Sequence, residues 1–230
     1  MAKTQLLKGD SLKLIKNLPD NSVDLILTDP PYNLAQYSTG NIAASWRKAI
    51  NNDIADWDKH PLNPVELVED FKRVLKPAGN AFIFTSYNLI GEWHKAFDSE
   101  FDTFQFAVWH KTNPTPKFYK NGFLNSCELI VCLWNKGHFW NFSTQKEMHN
   151  FFESPICMGN ERIKDPKHPT QKPIKVLKNF AQIACPEGGT VLDPFMGVGS
   201  TGEACAELGF NFIGMETDEQ YFKACETRLL

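Results

Sequence analysis

The chain has no Cys-x-x-Cys pair and no Cys/His cluster at zinc spacing, which removes the common structural-zinc readings. Its six cysteines (Cys127, Cys132, Cys157, Cys185, Cys205 and Cys225) lie mostly in apolar contexts and read as reduced core residues of a cytosolic protein. No apolar stretch approaches the ~18 residues needed to span a membrane, and Met-Ala-Lys-Thr-Gln at the start has no signal-peptide pattern. The expectation is a cytoplasmic protein with no membrane partner. Neither charge dominates: 24 Lys and Arg face 27 Asp and Glu, for a net charge of −3. A nucleic-acid partner must therefore be met by a local patch. Repeats and low-complexity tracts are missing too. What remains is 230 residues with 42% hydrophobic content, enough for one large domain over residues 1–230 with a full core.

The stretch around which the chain is organised is Asp29-Pro30-Pro31-Tyr32. It follows Val23-Asp24-Leu25-Ile26-Leu27-Thr28, a short aliphatic run that reads as a buried strand of a parallel sheet. Open α/β sheets bind ligands at the carboxyl ends of such strands. The prolines stiffen the loop and remove two backbone donors, which leaves carbonyls and the Asp29 carboxylate as fixed acceptors beside an aromatic face. An amino group on a flat ring suits that arrangement. The competing reading is an Asp-Pro turn that only ends the strand.

Strand and helix patterns alternate along the rest of the chain, which predicts an α/β sheet with mainly parallel connections. Gln5-Leu6-Leu7 reads as a strand ending at Gly9-Asp10, and Ser11 as the cap of a helix over Leu12, Ile15 and Leu18. Asn63-Pro64-Val65-Glu66 opens a helix carrying Leu67, Phe71 and Val74, and Ala81 to Phe84 reads as a buried strand. Phe104, Phe106 and Val108 alternate in another strand, and Glu128 to Leu133 forms the next. Two segments, 33–62 and 135–167, lack periodicity. Loops of such length are usually functional.

A second constellation lies near the end. Thr190-Val191-Leu192 runs into Asp193-Pro194-Phe195-Met196-Gly197-Val198-Gly199-Ser200-Thr201, then a helix, then a strand ending on Glu216. That is the outline of a nucleotide-binding half-domain whose terminal acid accepts from ribose hydroxyls. A P-loop is excluded, because no lysine precedes Ser200. Gly197, Gly199 and Gly202 do satisfy a dinucleotide spacing, but Asp193 ahead of the turn is poor company for a pyrophosphate and good company for a cationic or amine-bearing ligand.

Asp-Pro-Pro-Tyr, then His168-Pro169-Thr170-Gln171-Lys172-Pro173, then Asp-Pro-Phe-x-Gly-x-Gly-Ser-Thr resemble, in that order, the β class of S-adenosylmethionine-dependent DNA amino-methyltransferases. The resemblance spans residues 5–230. It implies a Rossmann-like methyltransferase fold, a mostly parallel seven-stranded sheet with its last strand antiparallel, in circularly permuted motif order. It also implies S-adenosylmethionine as cofactor. Asp193, Phe195, Gly197, Gly199, Ser200 and Thr201 would then line its methionine and sulfonium, and Glu216 would hold its ribose. Asp10 and Ser11 match the position near its adenine, where Asp10 can equally be a helix cap. His168, Thr170 and Lys172 would close the methionine end, with Lys172 on the carboxylate; plain loop roles for His168 and Lys172 stay open. Asp29 and the Pro30 carbonyl, followed by Pro31, would accept the hydrogens of the target amine, and Tyr32 would stack on a base flipped from the duplex.

Asp at the first position of that motif is typical of adenine enzymes, whereas cytosine-N4 enzymes usually carry Ser. Asp29 thus implies site-specific adenine-N6 methylation, with cytosine N4, RNA, or a non-catalytic binding module as alternatives. The implied partners are DNA, a cognate restriction endonuclease and a second copy of the chain; no metal is implied. Segments 33–62 and 135–167, with Lys111, Lys117, Lys120, Lys136, Arg162, Lys164 and Lys167 around them, are the candidate DNA-recognition surface. Trp46 and Trp57 read as loop anchors.

Overall fold

A computed structural model describes residues 2–32, 62–116 and 122–230. The first half runs β1 (Thr4–Lys8), α1 (Ser11–Leu14), β2 (Val23–Thr28), α2 (Val65–Val74), β3 (Leu75–Thr85), α3 (Ile90–Phe97) and β4 (Thr103–Lys111). The second runs β5 (Cys127–Trp134), β6 (Phe151–Ser154), α4 (Ile174–Ala184), β7 (Thr190–Asp193), α5 (Ser200–Leu208), β8 (Asn211–Glu216) and α6 (Glu219–Leu229). All described strands join one sheet in the order β1-β8-β7-β2-β3-β5-β4-β6.

β2 sits near the middle and is buried along its whole length, which is why its sequence is a continuous apolar run rather than an alternating one. Its neighbour β3, and β5 beyond it, alternate between two cores. Leu25, Leu27, Phe82, Phe84, Ile130 and Cys132 face α4, where Phe180 meets the rings of Phe82 and Phe84 edge-on. Ile26, Ala81, Ile83, Val131 and Leu133 face the opposite side, against Leu67, Phe71 and Val74 of α2 and Trp93 and Phe97 of α3. The protein is thus a sheet between two helical layers, the Rossmann-like α/β arrangement expected from the alternation of elements.

Two details differ from the expected sheet. It has eight described strands rather than seven, because Phe151–Ser154, inside the segment read as irregular, adds a short parallel edge strand to β4. Among the described strands, the one antiparallel to its neighbours is β5 rather than the last in the chain. β5 follows β4 directly and pairs with it, and strands joined without a crossover helix run in opposite directions. The N-terminal helix also differs. Asp10, not Ser11, caps it, accepting from the Leu12 amide at 3.0 Å, and the chain tightens into a 3₁₀ turn over Ile15–Asn17. Among the described residues no helix is long and apolar enough to cross a membrane.

Buried polar groups pin the layers together. Asn80, in the middle of β3, donates from Nδ2 to the carbonyls of Phe139 and Ala184, both at 2.9 Å, and so ties the end of α4 to the sheet. Asn80→Leu leaves both carbonyls without that donor, and unfolding in urea should show a loss of about 1–3 kcal/mol. A midpoint unchanged from the parent would mean these carbonyls find other partners.

Candidate functional site

The connection from β2 leads to β3 on one side, and that from β7 leads to β8 on the other. Between the two neighbouring strands lies the switch point at which open α/β sheets form a crevice. A cavity of about 510 Å³ opens there, within the range of small-molecule sites. Segments far apart in sequence line it: residues 9–12, 29–32, 168 with 170–172, 193–198 with 200–201, and 215–217.

The floor is the glycine-rich turn. Asp193, at the end of β7, accepts from the Thr28 hydroxyl at 2.6 Å, the Thr201 hydroxyl at 2.7 Å and the Phe195 amide at 3.1 Å. Burial pushes its carboxyl up to about 6 against these bonds. Asp193 therefore acts first as the post on which the turn is hung, and Phe195, Ser200 and Thr201 take their places along the wall from it. Gly197 has φ +54°, and a Cβ there would stand 3.0 Å from His168 Nε2, so the position needs glycine for both conformation and space. Gly199 is the exception among the expected residues. It does not line the cavity; with φ +82° it begins α5, packed against Cys225 and Leu229. Its task is the turn and the seating of α6.

Glu216, where β8 ends, accepts from the Gly197 amide at 3.0 Å and the Asp218 amide at 2.7 Å. Desolvation nevertheless raises its carboxyl to about 7. Asp10 and Ser11 stand across the mouth on the neighbouring β1 connection, Asp10 serving both as cap and as lining.

The 168–172 segment is held by its own bonds. Gln171 is buried, donating to the Glu161 carbonyl and accepting from the Ile163 amide, both at 2.9 Å. Arg162 donates to the carbonyls of His168 and Pro169 at 3.2 Å each. His168 packs at a tilt against Tyr221, with ring centroids 4.9 Å apart, and burial with Lys172 and Arg162 nearby drops its pKa to about 4. The imidazole is neutral at physiological pH. Thr170 is exposed at the rim.

Lys172 lines the cavity as well, and its ammonium is turned to the Asp-Pro-Pro-Tyr loop. Its ammonium, on a side chain only 4% exposed, is ion-paired with Asp29 and lies 3.3 Å from Glu128 Oε2. It also lies 5.2 Å from the Tyr32 ring centroid and 5.3 Å from that of Phe84. Glu128 completes the cluster: Oε1 is 2.7 Å from Lys111 Nζ, and Oε2 accepts from the Tyr32 hydroxyl at 3.2 Å. Burial raises Asp29, with Lys172 opposing and Glu128 adding to the rise. Glu128 itself would be raised by burial, but Lys172 and Lys111 hold it below the usual carboxylate range. Among the described residues Asp29 Oδ1 has no hydrogen-bond partner, while Pro30 and Pro31 beside it carry no amide hydrogen to offer. A buried acceptor is therefore left unpartnered on a residue that lines the cavity.

Sequence reasoning missed Glu128, read there only as the first residue of an apolar strand. A lone acid opening such a strand was the available signal. Lys111, counted toward a phosphate-binding patch, is instead paired with Glu128. Arg162 is partly engaged with the 168–169 carbonyls. Residues 33–61, including Trp46 and Trp57, and Lys117 and Lys120 lie outside the described residues.

Comparison with known proteins agrees with this fold. The DNA methylase family matches residues 23–227. The type II methyltransferase M2.LlaDCHI of Lactococcus lactis subsp. cremoris is 32% identical over 245 residues, covering 97% of this chain and 88% of that protein. M2.DpnII of Streptococcus pneumoniae is 32% identical over 247 residues, covering 99% and 90%. Among solved structures, the M1.HpyAVI–SAM complex superposes with a TM-score of 0.71 at 27% identity, covering 98% of this chain and 100% of that one. The PvuII cytosine-N4-specific methyltransferase has a TM-score of 0.72 at 17% identity, covering 100% and 87%, a likeness of fold. This chain therefore belongs to the N6/N4 family of DNA methylases.

Proposed function

We propose that the protein is a site-specific DNA adenine-N6 methyltransferase that works as one domain over residues 1–230. The observation that carries this reading is Asp29, an acidic residue at the first motif position that lines the cavity and keeps one buried carboxylate oxygen without a hydrogen-bond partner among the described residues. S-adenosylmethionine is the cofactor; when bound it supplies a methyl group on a positively charged sulfur. The residues present suit it. Glu216 offers an acceptor-only carboxylate for ribose hydroxyls, Gly197 lets the backbone approach, and a neutral His168 adds no positive charge near a sulfonium.

The chain's own residues do the rest. An exocyclic amine is conjugated with its ring and is a weak nucleophile. Asp29 Oδ1 and the Pro30 carbonyl accept its two hydrogens and favour a tetrahedral nitrogen with its lone pair free. Tyr32 stacks on the flipped base. Lys172 occupies space over its ring, so the base takes the other face. DNA is the substrate, a cognate restriction endonuclease a natural companion in a modification pair, and Lys164 and Lys167, both exposed, reach its phosphates.

Asp29→Ala should lower single-turnover methylation of an adenine-containing duplex by about 10²–10³-fold while leaving DNA affinity nearly intact. Near-parental transfer by the variant, or label recovered in cytosine rather than adenine, would overturn the assignment. Glu216→Ala should weaken cofactor binding by about 1–3 kcal/mol in calorimetry.

Because ribose hydroxyls donate to the ionised carboxylate, and Glu216 titrates near 7, affinity should rise between about pH 6 and 8 with release of a proton on binding. Glu216→Gln should remove that rise. A rise that persists in Glu216→Gln would place the titration elsewhere, Asp193 being the next candidate. Neutralising Lys164 and Lys167 together should flatten the slope of log affinity against log salt, by roughly 1 for each phosphate no longer neutralised.

A further inference from the structure

Asp29, Glu128, Lys172 and Lys111 form a closed group of two carboxylates and two ammonium ions, so their formal charges cancel inside the wall of the cavity. Both Glu128 oxygens are engaged: Oε1 with Lys111, Oε2 with Lys172 and the Tyr32 hydroxyl. Lys172 in turn takes Asp29 Oδ2, which leaves the buried Oδ1 as the unpartnered acceptor of the group among the described residues. The elements that meet here are the β2 end, the start of β5, the end of β4 and the segment leading into α4. Only the packed sheet brings them together.

We propose that Glu128 and Lys172 are a positioning pair for base capture and methyl transfer. Lys172 fixes the rotation of the Asp29 carboxylate so that Oδ1 meets the target amine, and Glu128 holds both Lys172 and the Tyr32 ring in register with it. This rests on the adenine-methyltransferase reading of the same site. It differs from the expectation that Lys172 serves the cofactor carboxylate. A carboxylate with two equivalent oxygens can turn about its Cβ–Cγ bond; with one oxygen ion-paired to a buried ammonium it cannot turn freely. Misplacement of a reacting group by about 1 Å can cost on the order of 10²-fold in rate.

The charges facing Asp29 are Lys172, Glu128 and, across the cavity floor, Asp193; Lys111 acts through Glu128, and His168 is neutral. Removing Lys172 leaves Asp29 beside another carboxylate and raises its pKa; removing the Glu128 charge leaves Lys172 wholly to Asp29 and lowers it. The test is the pH dependence of kcat at saturating cofactor and DNA, with cofactor affinity measured by calorimetry. Lys172→Met should cut kcat by about 10²-fold and move the acid limb to higher pH. Glu128→Gln should move that limb to lower pH, and neither should change cofactor affinity more than about twofold.

Lys172→Met/Glu128→Gln keeps the net charge and guards against misfolding of the single variants. It should restore the limb toward the parent while staying slow, because Oδ2 is no longer held. The proposal fails if Lys172→Met loses cofactor affinity with kcat intact, which is the carboxylate role, or if the two limbs move together. An inactive parent, or an active Asp29→Ala, would instead defeat the methyltransferase reading beneath it.

Discussion

All the described strands around the site except β5 run the same way, and that direction is the constraint on which the rest depends. Parallel strands deliver their carboxyl ends to one edge of the sheet, so residues 9–10, 29–32, 193–201 and 216 arrive together although up to 207 positions separate the first from the last. The Thr28–Asp193 bond, 2.6 Å long and buried, closes the seam between β2 and β7 at the point where their connections part. Without that seam the Asp-Pro-Pro-Tyr loop and the glycine turn would share no wall. With it, both line one cavity.

The wall contains more ionic structure than a binding pocket needs. Burying an ammonium beside two carboxylates is costly unless each charge is met, and here each is: Lys172 by Asp29 and Glu128, Glu128 also by Lys111. Such clusters contribute little net stability. Their value is geometric, because a carboxylate held by a buried partner keeps one orientation. The Tyr32 hydroxyl joins the same cluster, so the ring on which a base would stack and the acceptor it would meet are positioned by a common set of bonds.

Two other expected roles changed on folding for a reason of packing, and the cap of the first helix moved by one residue for a local one. Gly199 left the cavity wall because the backbone turn it permits carries it to the underside, against α6. Lys111 left the phosphate-binding set because the β4–β5 pairing, with Trp109 opposite Glu128, brings its ammonium within reach of that carboxylate. Asp10 took the capping position one residue earlier than Ser11, since its carboxylate reaches the Leu12 amide and satisfies an otherwise orphaned donor. At Gly199 and Lys111 local pattern named the right residue type and the tertiary neighbour chose the task, whereas the Asp10 cap is a bond within one turn.

The sequence by itself determined the strand-and-helix alternation, the buried character of residues 23–28, the Asp-Pro-Pro-Tyr loop at a strand end, and the glycine turn with its terminal acid. These are local: they follow from residue size, periodicity and backbone freedom within a few positions. Only the tertiary structure decided strand order, the antiparallel insertion of β5, the edge strand Phe151–Ser154, and the encounter of Lys172 with Asp29 and Glu128. Those depend on pairings between residues as far as 208 positions apart, set by which apolar faces can be buried together, and no pattern along the chain encodes the distance between two charged side chains on different elements.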